Sequence, residues 1–166
     1  MNKTILIILA SLIAGGGLIF WSYTATKTQN PQVNQESQAV LLTASEPVYD
    51  FGEVRMAKGL VEHKFVLKND SAEAVKIGRV ETSCMCTTAF LSGENGREIG
   101  PFGMAGHSDV RTSAGMTINP GEELIVRAVF DPAAHGPAGV GLVERQIALE
   151  VGGTPTILSF TATVAP

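Results

Sequence analysis

Apolar and polar residues alternate with a period of two along most of the chain after residue 40, as they do in half-buried β-strands. Within Val61–Lys68, for example, Phe65 and Leu67 fall on the same face as His63, while lysines and a glutamate dominate the other face. The alternation recurs in further segments, which include Val75–Ile77, Leu124–Phe130, Val143–Val151 and Leu158–Val164. About seven short strands at this spacing predict an all-β, immunoglobulin-like β-sandwich.

Turn-forming residues separate these strands. Asn69-Asp70-Ser71 follows the first strand, and Asn119–Glu122 carries a proline that suits the second position of a turn. The pair Gly152-Gly153 between two alternating segments predicts a β-hairpin. Asp131–Ala134 can cap and start one short helical turn, and we expect no longer helix after residue 40.

Two glycine-rich segments do not fit the strand pattern, and we interpret both as loops. The first is Gly93–Met116, and the second is His135–Gly141. Long loops inside a compact domain are usually either functional or disordered. Both segments are therefore candidates for a binding site.

The N-terminal pattern is different, because no residue from Thr4 to Tyr23 is charged. About 20 apolar residues in a helix span a bilayer, and aromatic rings such as that of Trp21 favour its interface. With Lys3 ahead of the segment, the positive-inside rule places residue 1 in the cytoplasm and the remainder on the extracytoplasmic side. The sequence thus predicts a transmembrane helix over residues 1–24 that anchors the protein in the membrane; a cleaved signal peptide is the alternative.

Residues 25–39 are mostly Thr, Gln, Asn and Ser, a composition that predicts a flexible, solvated tether. The sandwich domain is then expected over residues 40–166, in the periplasm or at the cell exterior. The formal net charge is -4, and every acidic residue lies beyond the N-terminal segment. An acidic exported domain repels a phosphate backbone, so we expect no nucleic-acid partner.

Both cysteines lie one residue apart in Cys84-Met85-Cys86. Residues i and i+2 of a strand have Cα atoms about 6.6 Å apart, so a disulfide requires local puckering of the backbone. Binding of one metal ion by both thiolates requires less distortion. Disulfide formation, metal binding and simple packing all remain open from the sequence.

Further soft donors lie in the two glycine-rich segments, namely Met104, His107, Met116 and His135. Thiolates, thioethers and imidazoles together favour Cu(I) over hard cations. If both loops emerge at the pole of the sandwich that carries Cys84 and Cys86, we expect a loop donor within about 6 Å of a cysteine sulfur. His63 is not included, because it lies on the apolar face of its strand and is interpreted as a core residue.

Four motifs occur in an order that resembles a known family. They are Tyr49–Val54 with its Asp-Phe-Gly, Ser83–Thr88 around the cysteines, Pro120–Glu122 and Val129–Pro132. This arrangement is similar to the bacterial DUF1573 family (domain of unknown function 1573), over roughly residues 45–151. The resemblance implies an immunoglobulin-like sandwich and no established activity. Met85 stands where the family usually has a glycine, and Gly93–Met116 is longer than the family's usual connection.

The functional expectation is a non-enzymatic binding or scaffolding module with a protein partner in the cell envelope, since hydrolase and nucleotide-binding motifs are absent. The first alternative is Cu(I) binding by Cys84 and Cys86 with loop donors. The second is thiol redox activity, although such proteins usually carry Cys-x-x-Cys at a helix N-terminus. Asn69-Asp70-Ser71 also matches a glycosylation sequon, and we interpret it as a turn because the resemblance is bacterial.

Overall fold

A computed structural model describes residues 42–106 and 110–166, which form an all-β sandwich of two five-stranded sheets. The described residues include no α-helix, only two short 3-10 turns at Met56–Lys58 and Gly136–Gly139. The strands are β1 Thr43–Ala44, β2 Val48–Arg55, β3 Val61–Lys68, β4 Val75–Thr82, β5 Thr87–Ser92, β6 Glu98–Phe102, β7 Ser113–Ile118, β8 Glu123–Phe130, β9 Gly141–Val151 and β10 Thr154–Ala165.

The first sheet has the strand order β1-β3-β8-β5-β6, and the second has the order β2-β10-β9-β4-β7. The pairing of β2 with β10 is parallel, and the other pairings are antiparallel. All the connections between successive strands, except β5–β6 and β9–β10, therefore cross from one sheet to the other. This two-layer arrangement confirms the all-β sandwich predicted from the alternation.

The predicted strands are confirmed where the alternation is longest. Strand β3 has the predicted bounds, and β9 and β10 form the predicted hairpin, with Val151 opposite Thr154. The inner faces of the two sheets carry aromatic and aliphatic side chains that are fully buried between the layers. Phe130 of the first sheet contacts Phe160 of the second, with ring centroids 5.4 Å apart. Each such side chain stabilises the fold by about 1.5–3 kcal/mol relative to an exposed position.

The interpretation of Gly93–Met116 as one long loop is wrong, because the segment contains β6 and the first part of β7. Strand β6 lies at an edge of the first sheet, where it pairs with β5, and its Phe102 forms one isolated bridge with Arg111. Its glycine allows the close approach: a Cβ at Gly100 would lie 2.7 Å from Phe90 Cδ1 and 3.0 Å from the carbonyl oxygen of Ala89. A strand that needs glycine at its closest contact lacks the apolar alternation by which strands are recognised.

The strand register defines one end of the sandwich, here called the cysteine pole. At this end β4 ends at Thr82 and β5 begins at Thr87, directly opposite Phe130 at the end of β8. Strand β9 comes in from the same side and extends past the turn, because it begins at Gly141, six residues before Ile147, which pairs with Thr82. The connections β4–β5 and β8–β9 therefore meet at this pole.

Among the described residues no helix is long and apolar enough to cross a membrane. The predicted membrane anchor (residues 1–24) and the predicted tether (residues 25–39) lie outside the described residues, so both stay predictions.

Candidate functional site

The connection Ser83–Cys86, here called the cysteine turn, links the end of β4 to the start of β5 and so joins the two sheets. On the side of the second sheet, the Ser83 backbone N–H donates to the carbonyl of Gln146, and the N–H of Gln146 donates to Ser83 Oγ, both at 2.9 Å. On the side of the first sheet, the N–H of Asp131 donates to the carbonyl of Cys86 at 2.9 Å. Backbone bonds to both sheets fix the position of the turn.

Thr82 closes the turn from within. Its buried hydroxyl lies 3.0 Å from the carbonyl oxygens of both Cys84 and Thr87, so that one proton is shared between the two ends of the turn. The N–H of Thr87 also donates to the carbonyl of Cys84 at 3.1 Å. These bonds curve the backbone that an extended strand would keep straight.

Cys84 and Cys86 form a disulfide, and their Cα atoms are 5.2 Å apart. This spacing lies within the usual range for disulfides, because the residues belong to a turn rather than to an extended strand. The two cysteines differ in accessibility. Cys86 is 3% exposed and belongs to the core, Cys84 is half-buried, and Met85 between them is 55% exposed.

His135 lies beside Cys84, with its Nε2 atom 3.2 Å from Cys84 Sγ. The preceding residues place it there, because the side chain of Asp131 accepts from the N–H of Ala133 at 2.8 Å and starts the predicted short turn. The turn continues into Gly136–Gly139, where a Cβ on Gly139 would lie 3.1 Å from the Cβ of His135. The distance confirms the expectation that a loop donor lies within about 6 Å of a cysteine sulfur.

Arg145 is a site residue that the sequence analysis missed. Its Nε–H donates to Cys86 Sγ at 3.0 Å, and its Nη1 donates to the carbonyl of Glu144 at 2.8 Å. The signal was present in the alternation of β9, where Arg145 occupies the inward-facing position between Val143 and Ile147. A cation in an inward position near a strand end indicates a nearby partner that compensates its burial.

The donor atoms of Cys84, Cys86 and His135 all lie within 4.8 Å of one another. This is the spacing that one bound ion requires, since metal–sulfur and metal–nitrogen bonds are about 2.0–2.3 Å long. The group is composed of soft and intermediate ligands, so it fits Cu(I) or Zn²⁺ better than Mg²⁺ or Ca²⁺. The cysteines can bind such an ion only as thiolates, after reduction of the disulfide.

The other predicted donors have different positions. Met116 packs against the core in β7, where it pairs with Ile77 of β4. Ile77 precedes Thr82, the last residue of β4, by five residues, which is about 16 Å along the strand. The structure therefore does not bring Met116 to the cysteine turn. Met104 is half-buried and follows Gly103, whose carbonyl accepts from the N–H of Thr82 at 3.2 Å. Its segment reaches β4 beside the turn, and a role for its sulfur stays a prediction. His107 lies outside the described residues.

His63 occupies the inner face of β3, as expected for a core residue. Its ring stacks on Tyr49 with centroids 3.6 Å apart, and its Nε2 is buried without a hydrogen-bond partner among the described residues. Glu46 Oε2 lies 3.5 Å from Nε2, but the geometry is not that of a hydrogen bond. Burial lowers the pKa of His63 below its ordinary value, and the charge of Glu46 opposes that shift.

Several solved structures are similar to this chain. A protein of unknown function from Porphyromonas gingivalis W83 is similar at 15% identity with a TM-score of 0.53, over 74% of this chain and 46% of that one. A PapD-like domain of human CEP192 is similar at 13% identity with a TM-score of 0.46, over 75% of this chain and 85% of that one. The periplasmic chaperone SfaE is similar at 4% identity with a TM-score of 0.41, over 75% of this chain and 57% of that one.

This chain thus spans less than half the length of the Porphyromonas gingivalis protein. No curated protein matches the sequence. The model of a family described as protein of unknown function (DUF1573) matches residues 42–97, which include β1 to β5 and the whole cysteine turn. The resemblance to the DUF1573 family is thus confirmed over residues 42–97, about a third of the chain, and the two later motifs lie outside the match.

Proposed function

We propose that this protein is a membrane-tethered, extracytoplasmic domain that binds one Cu(I) ion through Cys84, Cys86 and His135 in its reduced state. The observation that carries the proposal is the convergence of these three donors within 4.8 Å. Because backbone bonds from both sheets fix the cysteine turn, reduction leaves the two sulfurs near each other and near His135. Only small side-chain movements are then needed to surround one ion.

Charge and softness favour a monovalent ion. Two thiolates carry two negative charges, and one Cu(I) together with the guanidinium of Arg145 balances them. A divalent ion would leave the half-buried site with an excess positive charge, which is costly away from water. Thiolate ligands also select Cu(I) by their softness.

The proposed location rests on the uncharged segment 4–23 and the polar segment that follows it. Fractionation of the native host should recover the full-length chain in membranes after a salt wash. A soluble exported form that begins near residue 25 would instead indicate a cleaved signal peptide. Neither result bears on the metal site itself.

The test of metal binding is a Cu(I) titration of the reduced full-length protein in detergent, under anaerobic conditions, against a competing Cu(I) chelator. We expect one ion per chain. Cys84→Ser should abolish chelator-resistant binding, and His135→Ala should weaken binding by about tenfold or more, because it removes one of the three ligands. Met116→Leu is the matched control, since its thioether lies away from the turn.

Stoichiometric binding that persists in Cys84→Ser would show that the ion binds elsewhere and would reject this site. A complete lack of chelator-resistant binding by the reduced protein would reject the metal function. The protein would then be better described as a binding or scaffolding module, whose envelope partner crosslinking in the native membrane should identify.

A further inference from the structure

The two sulfurs of the disulfide have different surroundings. Cys86 is 3% exposed and is enclosed by core residues, whereas Cys84 is half-buried in a turn whose central residue is exposed. A nucleophile that approaches from solvent therefore reaches Cys84 Sγ before Cys86 Sγ. Thiol–disulfide exchange depends on access and on the sulfur that is attacked.

The sheltered sulfur has a cation beside it. Arg145 donates its Nε–H to Cys86 Sγ at 3.0 Å, and the backbone carbonyl of Glu144 holds another of its nitrogens. A guanidinium is always charged, and its hydrogen bond to a thiolate is much stronger than its contact with a neutral disulfide sulfur. The contact therefore favours the state in which Cys86 carries a negative charge.

From this asymmetry we propose a further activity: the Cys84–Cys86 disulfide exchanges with an incoming thiol that attacks Cys84, and Arg145 stabilises Cys86 as the departing thiolate. This activity does not depend on copper, although its product is the dithiol that the proposed metal site requires. The attacking group is a thiol, which either a small molecule or a protein dithiol can supply.

The reaction proceeds in two balanced steps. In the first, the incoming thiolate forms a bond to Cys84 Sγ while the Cys84–Cys86 bond breaks and its electron pair leaves on Cys86 Sγ. In the second, another thiolate attacks the incoming sulfur of the mixed disulfide and releases Cys84. Two thiols are oxidised to one disulfide, and their two electrons and two protons reduce the cysteine pair.

His135 has a role in the first step. Its Nε2 lies 3.2 Å from the attacked sulfur and is itself at the exposed edge of the site. A disulfide sulfur has no proton to donate, so in the oxidised protein the contact is made by the tautomer in which Nε2–H donates to Cys84 Sγ. The arrangement thus provides an accessible electrophile with a hydrogen-bond donor beside it and a stabilised leaving group.

The kinetic experiment uses the oxidised full-length protein without metal. Its reduction by excess glutathione is followed by acid quenching, alkylation and mass measurement, and reduced thioredoxin serves as the protein-dithiol probe in a parallel experiment. Arg145→Met should slow reduction about tenfold, because a stabilised leaving thiolate departs faster. Arg145→Lys should restore part of the rate, since it keeps the charge but loses the planar guanidinium.

Arg79→Met is the matched control, because Arg79 lies on β4 and pairs with Glu81 rather than with a sulfur. It should react at the wild-type rate. If Arg145→Met also reacts at the wild-type rate with an unchanged melting temperature, the role of Arg145 is rejected. If both glutathione and thioredoxin reduce the disulfide, a small-molecule thiol can be the attacking group. If thioredoxin alone reduces it, the attacking group is a protein dithiol. If neither reduces it, the activity is rejected.

The site of attack is tested separately. Oxidised glutathione should modify Cys84 in Cys86→Ser at least about tenfold faster than it modifies Cys86 in Cys84→Ser, since access governs the rate. In the wild-type protein, cyanogen bromide cleaves after Met85 and places the two cysteines on different fragments, so early mixed disulfides can be located without a substitution. Glutathione on the Cys86 fragment would overturn the proposal. Because copper is absent throughout, a failure here leaves the copper titration of reduced protein unaffected.

Discussion

Asn69 offers the sharpest test of what holds the end of the sandwich opposite the cysteine pole. The residue is 1% exposed, and its side-chain amide donates to the carbonyls of Glu73 at 2.8 Å and Ile118 at 2.9 Å. Its Oδ1 accepts from the backbone N–H and the hydroxyl of Ser71. Both amide hydrogens are used, so the folded chain has none free for a glycan, in agreement with the interpretation of the sequon as a turn.

Asn69→Ala should lower the free energy of unfolding by about 2–4 kcal/mol. The carbonyl of Ile118 is buried and loses its partner, which costs about 1–3 kcal/mol, whereas the groups of Ser71 and Glu73 can be rehydrated at a cost of about 1 kcal/mol. Asn69→Asp has nearly the same shape, but it aims a carboxylate oxygen at two carbonyl oxygens. We therefore expect it to be at least as destabilising as the alanine variant.

Urea unfolding of the full-length protein, followed by far-ultraviolet circular dichroism, measures these changes. The matched control is Asn119→Ala in the neighbouring turn, because Asn119 is exposed and its side-chain amide donates to the side chain of Glu122 rather than to a buried carbonyl. It should change stability by no more than about 1 kcal/mol. If Asn69→Asp stays within about 0.5 kcal/mol of the wild type, the argument from unsatisfied carbonyls is refuted.

Three further predictions concern other contacts. Burial lowers the pKa of His63 below its ordinary value of 6.5, so as the pH falls the unfolded chain takes up this proton before the folded chain does. The free energy of unfolding should therefore decrease below about pH 6.5. Urea unfolding between about pH 7.5 and 5.5 should show a smaller decrease in His63→Phe than in the wild type. Gly100→Ala places a Cβ 2.7 Å from Phe90 at a positive φ and should cost about 1–3 kcal/mol in urea unfolding; wild-type stability would contradict it. Arg127→Met removes an ion pair with Glu98, in which the nitrogen and oxygen are 2.6 Å apart, and should lower stability in thermal unfolding by about 1 kcal/mol. Because salt screens the pair, the loss should be smaller at 1 M salt, and a loss that does not depend on salt would contradict this prediction.

The sequence predicts the strands whose two faces differ. Strand β3 and the hairpin of β9 and β10 are recognisable because one face is buried and the other is solvated. Strands β6 and β7 lie at sheet edges and contain Gly100 and Gly115, so they lack that contrast. Edge strands with few buried side chains are set by pairing with a neighbour rather than by their own pattern. For this reason their residues resemble a loop in the sequence.

The site is predictable only in part, for a related reason. Cys84 and Cys86 are conspicuous by spacing, and His135 follows from the rule that connections at one pole meet. Arg145 was missed because the strand pattern treats an inward arginine as an irregularity rather than as a sign of a partner. Met116 was wrongly placed because its segment was assigned to a loop, while its register with Ile77 carries it away from the cysteine pole.

The direction of β3 determines what can be attached to this domain without obstructing it. Thr43 pairs with Lys68 at one end of β3, whereas Val61 at the other end faces Phe130 beside the cysteine turn. Eight residues of strand separate the two ends by about 23 Å. A bulky label joined ahead of Leu42 therefore departs from the far end and leaves the disulfide approachable. The same label after Pro166 departs on the side of the cysteine pole, six residues and about 20 Å past Phe160, which pairs with Arg145.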